Sequence, residues 1–226
     1  MGTVWGPWKW RESVCTGHRY VQTNDELCIL SIHVLLIVAV LKTIGLAAGH
    51  SDLTSSKLSG YSGNEAVTPW DRDQSGHGTH VTGTIAAADN SRGVVGVAPD
   101  VEVYTVRVFD NRGFFFGSDV VAAAEACRDA GVDIISMSLG GPSYDQDELE
   151  IFEELYEQGI ISIAASGNSG DTDYSFPASY EVVISVAAVN SNRNIASFST
   201  RNNRVDVAAP GKAFAHPFLQ KRTGWY

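Results

Sequence analysis

Residues 101–109 read VEVYTVRVF, residues 118–130 read SDVVAAAEACRDA, and residues 132–138 read VDIISMS. The outer two runs are short and rich in β-branched residues, which predicts strands. The middle run is long enough for a helix, and its small residues suit close packing. Strand, helix and strand in that order make a βαβ unit with parallel strands. Outward from this unit the pattern repeats. Leu35–Leu41, Ile160–Ala165 and Val182–Ala187 predict further strands, and His77–Ala88 and Gln146–Gln158 predict further helices. Strands that are apolar throughout are buried on both faces. With right-handed crossovers, the chain is expected to form a doubly wound, mainly parallel α/β sheet with helices on both faces. Ligands in such folds bind beyond the carboxyl ends of the strands. Ser138-Leu139-Gly140-Gly141 and Gly167-Asn168 both follow strand ends, which is where a cleft belongs.

The 226 residues, 44% of them hydrophobic, suffice for one domain with a sizeable core. A formal charge of −10 argues against nucleic acid as a partner, because phosphates would be repelled. Seven carboxylates and no basic residue lie between Asp145 and Glu157, and a solvated helix face accounts for them. Cys15, Cys28 and Cys127 are an odd number and suit no disulfide framework. Cys127 falls within a small-residue helix, where a buried free thiol is expected. The apolar run Ile29–Leu41 is too short to span a bilayer. The 28 residues before it are long and mixed in charge for a signal-peptide n-region, so a core strand is the preferred reading. Residues 1–28 carry Trp5, Trp8 and Trp10 without periodicity and stay unassigned.

The stretch Gly76-His77-Gly78-Thr79-His80-Val81-Thr82-Gly83-Thr84 carries the chemistry. Glycines on both sides leave the His77 ring unshielded, and the small apolar residues after it suit a tightly packed buried helix. His77 then stands in the first turn, where the positive end of the helix dipole disfavours imidazolium and keeps the ring a neutral base. A His pair at this spacing lacks the i, i+4 geometry and the Glu of a zinc-protease helix.

This motif resembles the histidine motif of the subtilisin-like serine proteases, the subtilases. Asn90–Pro99, Ile135–Gly141, Ala164–Gly170 and Val205–Gly211 resemble further segments of that family, in its order. The resemblance implies an incomplete subtilase domain over residues 29–211 and a divergent tail over 212–226. It implies His77 as general base and Asn168 as oxyanion-hole donor. Ser138, Leu139 and Gly140, facing Gly113, Phe114 and Phe115, would clamp an extended peptide or protein substrate. Asp52 and Asn90, with carbonyls of Ala88, Arg92 and Val94, would form a structural calcium site, since hard oxygen ligands suit Ca²⁺. No organic cofactor is implied. By resemblance the protein would be secreted.

Two parts of the family pattern do not match. Peptide hydrolysis by this machinery needs a Ser to attack, a His to take its proton and an Asp to steady the imidazolium. The family pattern ends its first core strand with an Asp, whereas Val38-Ala39-Val40-Leu41 runs into Lys42. A cation there would lower the basicity of His77 by like-charge repulsion. The family nucleophile opens a buried helix beyond the late strand, and residues 212–226 hold neither Ser nor Cys. Ser138, Ser166 and Ser169 flank the site but have no nucleophilic role in the family. The chain as written is therefore expected to be inactive, without the family's C-terminal helices and with an apolar sheet face left uncovered. The alternatives are a peptide-binding pseudoenzyme, or a truncated or frame-disrupted gene product.

Overall fold

The computed structural model describes residues 37–42, 46–61, 69–73, 75–109 and 115–211. Among the described residues, seven strands form one sheet in the order β2-β3-β1-β4-β5-β6-β7, with every neighbouring pair parallel. They are β1 Ile37–Lys42, β2 Leu58–Tyr61, β3 Glu102–Arg107, β4 Ile134–Met137, β5 Ile161–Ala165, β6 Val183–Val189 and β7 Val207–Pro210. Three α-helices among the described residues connect them: α1 His77–Ala86, α2 Gly117–Asp129 and α3 Gln146–Glu157. The doubly wound parallel α/β architecture expected from the alternation is present. Its core lies between the sheet and α2 with α3.

Alternation along each strand sorts residues to the two faces. On one face, Ala39, Val106, Ile135, Met137, Ala164 and Val183 pack against Val120, Ala123 and Cys127 of α2 and Ile151, Phe152 and Leu155 of α3. On the other, Val38, Val101 and Val103 meet Ala86, with Val81 and Ile85 of α1 packed alongside. Cover on the α1 face thins away from β1 and β3. Ile161 is 41% exposed and Val207 51%, while Ile163, Ile184 and Val186 are half-buried.

The end of α1 depends on a loop rather than on a capping side chain. Gly96, Val97 and Ala98 donate their backbone N–H groups to the carbonyls of Ala87, Thr84 and Ile85. Those are the groups a helix terminus leaves without partners. The approach is close enough to demand glycine, since a Cβ at Gly96 would lie 2.5 Å from the Ala87 nitrogen. The short edge strand β2 has no counterpart in the sequence reading. It contains Gly60, whose missing side chain leaves room for Trp70, and a four-residue run with one partner carries little apolar pattern. Cys15, Cys28 and residues 1–28 and 212–226 lie outside the described residues.

Candidate active site

The chain leaves β1 for β2 and β3 on one side, then crosses to β4 and continues outward on the other. The order therefore reverses between β1 and β4, the switch point where open α/β sheets bind ligands. Lys42 closes β1, with Arg107 opposite it in the register, and Ser138–Gly141 follow β4. Asn168 follows β5. His77 opens α1, and Thr79, two residues on, accepts a hydrogen bond from Ala47 N at 3.0 Å. That bond brings the first turn of α1 to the segment after β1. His77, Lys42, Ser138–Gly141 and Asn168 thus share the carboxyl edge of adjacent strands.

The first turn of α1 is held by a residue that the motif reading passed over. Gly76 ahead of the helix takes φ +80° and supplies no side-chain cap. Asp73 acts instead. One of its carboxylate oxygens accepts from Ser75 N at 3.0 Å and Gly76 N at 2.8 Å. The other accepts from Thr79 N at 2.8 Å and Thr79 Oγ1 at 2.6 Å. A carboxylate at a helix N-terminus satisfies orphan N–H groups and complements the dipole. Ser75 Oγ adds a bond from His77 N at 3.1 Å. The signal for Asp73 was an Asp four residues before the helix start, legible only as turn chemistry.

Between the ends of β4 and β5 lies an open cleft of about 530 Å³, lined among others by Ser138, Leu139, Gly140, Gly141, Gly167, Asn168 and Ser175. A Cβ at Gly140 would stand 2.5 Å from Ser175 Oγ, and one at Gly167 would stand 2.8 Å from Thr200 Oγ1. Gly167 also takes φ +117°, which side chains other than glycine's rarely tolerate. The loop behind Asn168 is pinned. Thr200 N donates to Gly167 O at 3.1 Å, and Ser169 Oγ and Thr200 Oγ1 lie 2.9 Å apart. Ser169 Oγ also donates to Asp171 at 2.5 Å, and this bond leads the influences that lower the Asp171 pKa. Asn168 itself is exposed at the rim, and its side-chain amide bonds no described residue.

Of the expected opposite wall, Phe115 packs on Phe109 with ring centroids 4.7 Å apart, and its Cζ lies 4.0 Å from where a Cβ of Gly141 would be. Gly113 and Phe114 lie outside the described residues.

Asp52 is 2% exposed and accepts from Val94 N at 3.0 Å and from Asn90 Nδ2 at 3.5 Å. Arg92 N donates to Asn90 Oδ1 at 2.7 Å, and a Cβ at Gly93 would collide with the Asp52 carboxylate. The loop therefore wraps tightly around one buried carboxylate. His50 Nδ1 accepts from Asp52 N, and burial, opposed by the Asp52 charge, lowers the His50 pKa. A buried carboxylate, an amide oxygen and nearby loop carbonyls are hard donors of the kind Ca²⁺ takes. The described residues hold no cluster of three His, Cys, Asp or Glu side chains placed for a metal, so any such site would rest mainly on carbonyls.

The acidic run on α3 has one member that does not face water. Glu148 is 4% exposed, and burial, opposed by a bond from Tyr180 and reinforced by the Asp145 charge, raises its pKa to about 7. Tyr180 Oη lies 2.8 Å from Glu148 Oε2 and 2.9 Å from Asp145 O. Burial also pushes the Cys127 thiol up to about 12, as suits an inert core cysteine.

An open parallel α/β sheet with a glycine-edged cleft at the carboxyl ends of β4 and β5, beside the switch point, defines a class of ligand-binding domains. Comparison with known proteins narrows the class. The subtilase family (peptidase S8) matches residues 36–225, and the chain belongs to that family. Subtilisin DY of Bacillus licheniformis is 42% identical over 171 residues, covering 74% of this chain and 61% of that protein. An intracellular serine protease of Paenibacillus polymyxa is 39% identical over 183 residues, covering 77% and 56%. The crystal structure of the psychrophilic subtilisin-like protease Apa1 from Pseudoalteromonas sp. AS-11 superposes with a TM-score of 0.73 at 38% identity. That superposition covers 78% of this chain and 41% of Apa1. The chain thus spans about half the length of the relatives it matches. No described helix is long and apolar enough to cross a membrane.

Proposed function

We propose that this chain carries the peptide-binding half of a subtilase site and, as the 226 residues stand, binds extended peptides without cutting them. The observation that carries the reading is the cleft between the ends of β4 and β5, edged by Gly140 and Gly167 with Asn168 on its rim. A peptide would lie along Ser138-Leu139-Gly140 by strand addition, its carbonyl turned toward the Asn168 amide. His77 would serve as base, with its helix turn fixed by Asp73. Two requirements of hydrolysis are unmet within these residues. Lys42, not a carboxylate, closes β1, and no Ser or Cys follows Ser199. Hydrolysis by this machinery needs both parts, a nucleophile and a carboxylate behind the base.

Calorimetry with an extended peptide tests the binding, and labelling with a fluorophosphonate tests the chemistry. Binding without an adduct is the expected pair of results. An adduct would show an activated serine and overturn the inactive reading; absence of any peptide binding would overturn the cleft. Asp52 and Asn90, with the carbonyls of Ala88, Arg92 and Val94, would hold a structural Ca²⁺ that stiffens the loop after α1. If so, millimolar calcium raises the thermal midpoint over that in chelator. Equal midpoints would remove the ion from the reading.

A further inference from the structure

One hydroxyl ties the cleft wall to a buried carboxylate. The wall segment Ser175–Phe176 is joined to Gly141 by paired backbone bonds: Gly141 N to Phe176 O at 2.9 Å and Phe176 N to Gly141 O at 2.8 Å. Behind it, the Phe176 and Tyr180 rings pack with centroids 4.9 Å apart, and Tyr144 meets both rings edge-on. Tyr180 Oη then has three polar partners around a single proton. Asp145 N donates to it at 3.2 Å, while Asp145 O at 2.9 Å and Glu148 Oε2 at 2.8 Å both stand as acceptors.

A phenol donates once. With Glu148 ionised, the Tyr180 proton is drawn to the carboxylate, and Asp145 O keeps only the helix bond from Leu149 N. With Glu148 protonated, the carboxyl donates to Tyr180 Oη, which accepts from Asp145 N as well and donates to Asp145 O. Every group is then satisfied. We propose that Tyr180 is a positioning residue for the cleft wall, and that protonation of Glu148 decides which acceptor its hydroxyl serves. The proposal rests on the peptide-cleft reading only for its effect on binding.

The groups facing Glu148 are Asp145, from the turn before α3, and Tyr180, from the segment before β6. Asp145 also caps α3, accepting from Asp147 N and Glu148 N, and its carboxylate packs against Gly117 of α2. The cations nearby are already engaged: Arg128 of α2 pairs with Glu154, and Arg204 pairs with Glu181. No described cation therefore neutralises Glu148. Its pKa of about 7 places the exchange in the neutral range.

The test is a pH titration of the intact chain by NMR, following the Gly141 and Phe176 amides, with peptide affinity measured alongside. The wild-type amides should shift with a midpoint near neutrality, and peptide should bind about fivefold more weakly above it, a modest coupling between sites. Glu148→Gln keeps the shape and should flatten both profiles near the low-pH level. Tyr180→Phe removes the hydroxyl and should also flatten them. Wild-type amides that do not titrate, or a midpoint that survives Glu148→Gln, would overturn the proposal. Amides that titrate in a chain that binds no peptide at any pH would support the proton-linked wall and remove the peptide reading instead.

Discussion

The two faces of the sheet are built from the same strands, yet they are closed to different degrees. Under α2 and α3, Ile135, Phe152 and Leu155 are wholly buried. On the α1 face Val38 of β1 and Val103 of β3 are buried, but Ile161 and Val207 stand about half open. The difference shows where the stability of this domain resides. The closed face anchors the sheet. The carboxyl edge, where His77 opens α1 and the Tyr180 cluster backs the wall of the cleft, is where we propose that peptide binds.

The sharpest way to break this contrast is Phe152→Ala, which removes a fully buried ring from the closed face. It should cost about 3–5 kcal/mol in denaturant unfolding, a large share of the roughly 5–15 kcal/mol that holds an ordinary domain. A loss under about 1 kcal/mol would show that the α2–α3 layer does not hold the sheet.

Glu148 gives the next effect. Its folded pKa of about 7 lies above the ordinary 4.5, so between those values the folded state binds the more protons. Stability therefore falls as pH rises from about 4.5 to about 7 and levels off beyond, by an amount on the order of 2 kcal/mol. The slope should vanish in Glu148→Gln; an unchanged slope would assign it to another group.

Asp73→Ala removes five bonds at the start of α1 and should cost about 1–2 kcal/mol. Hydrogen exchange should rise in the first turn around His77 while α3 stays protected. Uniform loosening would mean that Asp73 supports the whole fold rather than that turn. The smallest effect belongs to the open face. Ile161→Thr, at a position 41% exposed, should change stability by less than about 0.5 kcal/mol while reducing self-association in light scattering. A large loss of stability there would mean that the face is covered in solution.

Much of the architecture is legible in the chain. The central βαβ unit, three helices to within two residues, and the strands β1 and β3 to β6 follow from apolar runs and their spacing, while β7 is marked only by the resemblance of Val205–Gly211 to the family. The strand β2 escapes because an edge strand of Leu58, Ser59, Gly60 and Tyr61 is specified by its neighbour Thr105 and by Trp70, not by its own pattern. Asp73 escapes because its work is done by reaching forward over six residues to Thr79. Glu148 escapes for the opposite reason. Its sequence neighbours are charged and solvated, so a carboxylate run reads as a wet face, while tertiary packing against Tyr180 alone takes this member out of water.

Local spacing of apolar residues and glycines determined the fold class and the positions of His77 and Asn168 at element ends, and short motifs carried the resemblance to the family, because both depend on neighbours along the chain. Which groups share the carboxyl edge, which face of the sheet stays open, and which of six acidic residues on α3 lies near neutrality were decided by the tertiary structure. Burial and hydrogen-bond partnership come from residues tens of positions away, and no local pattern encodes them.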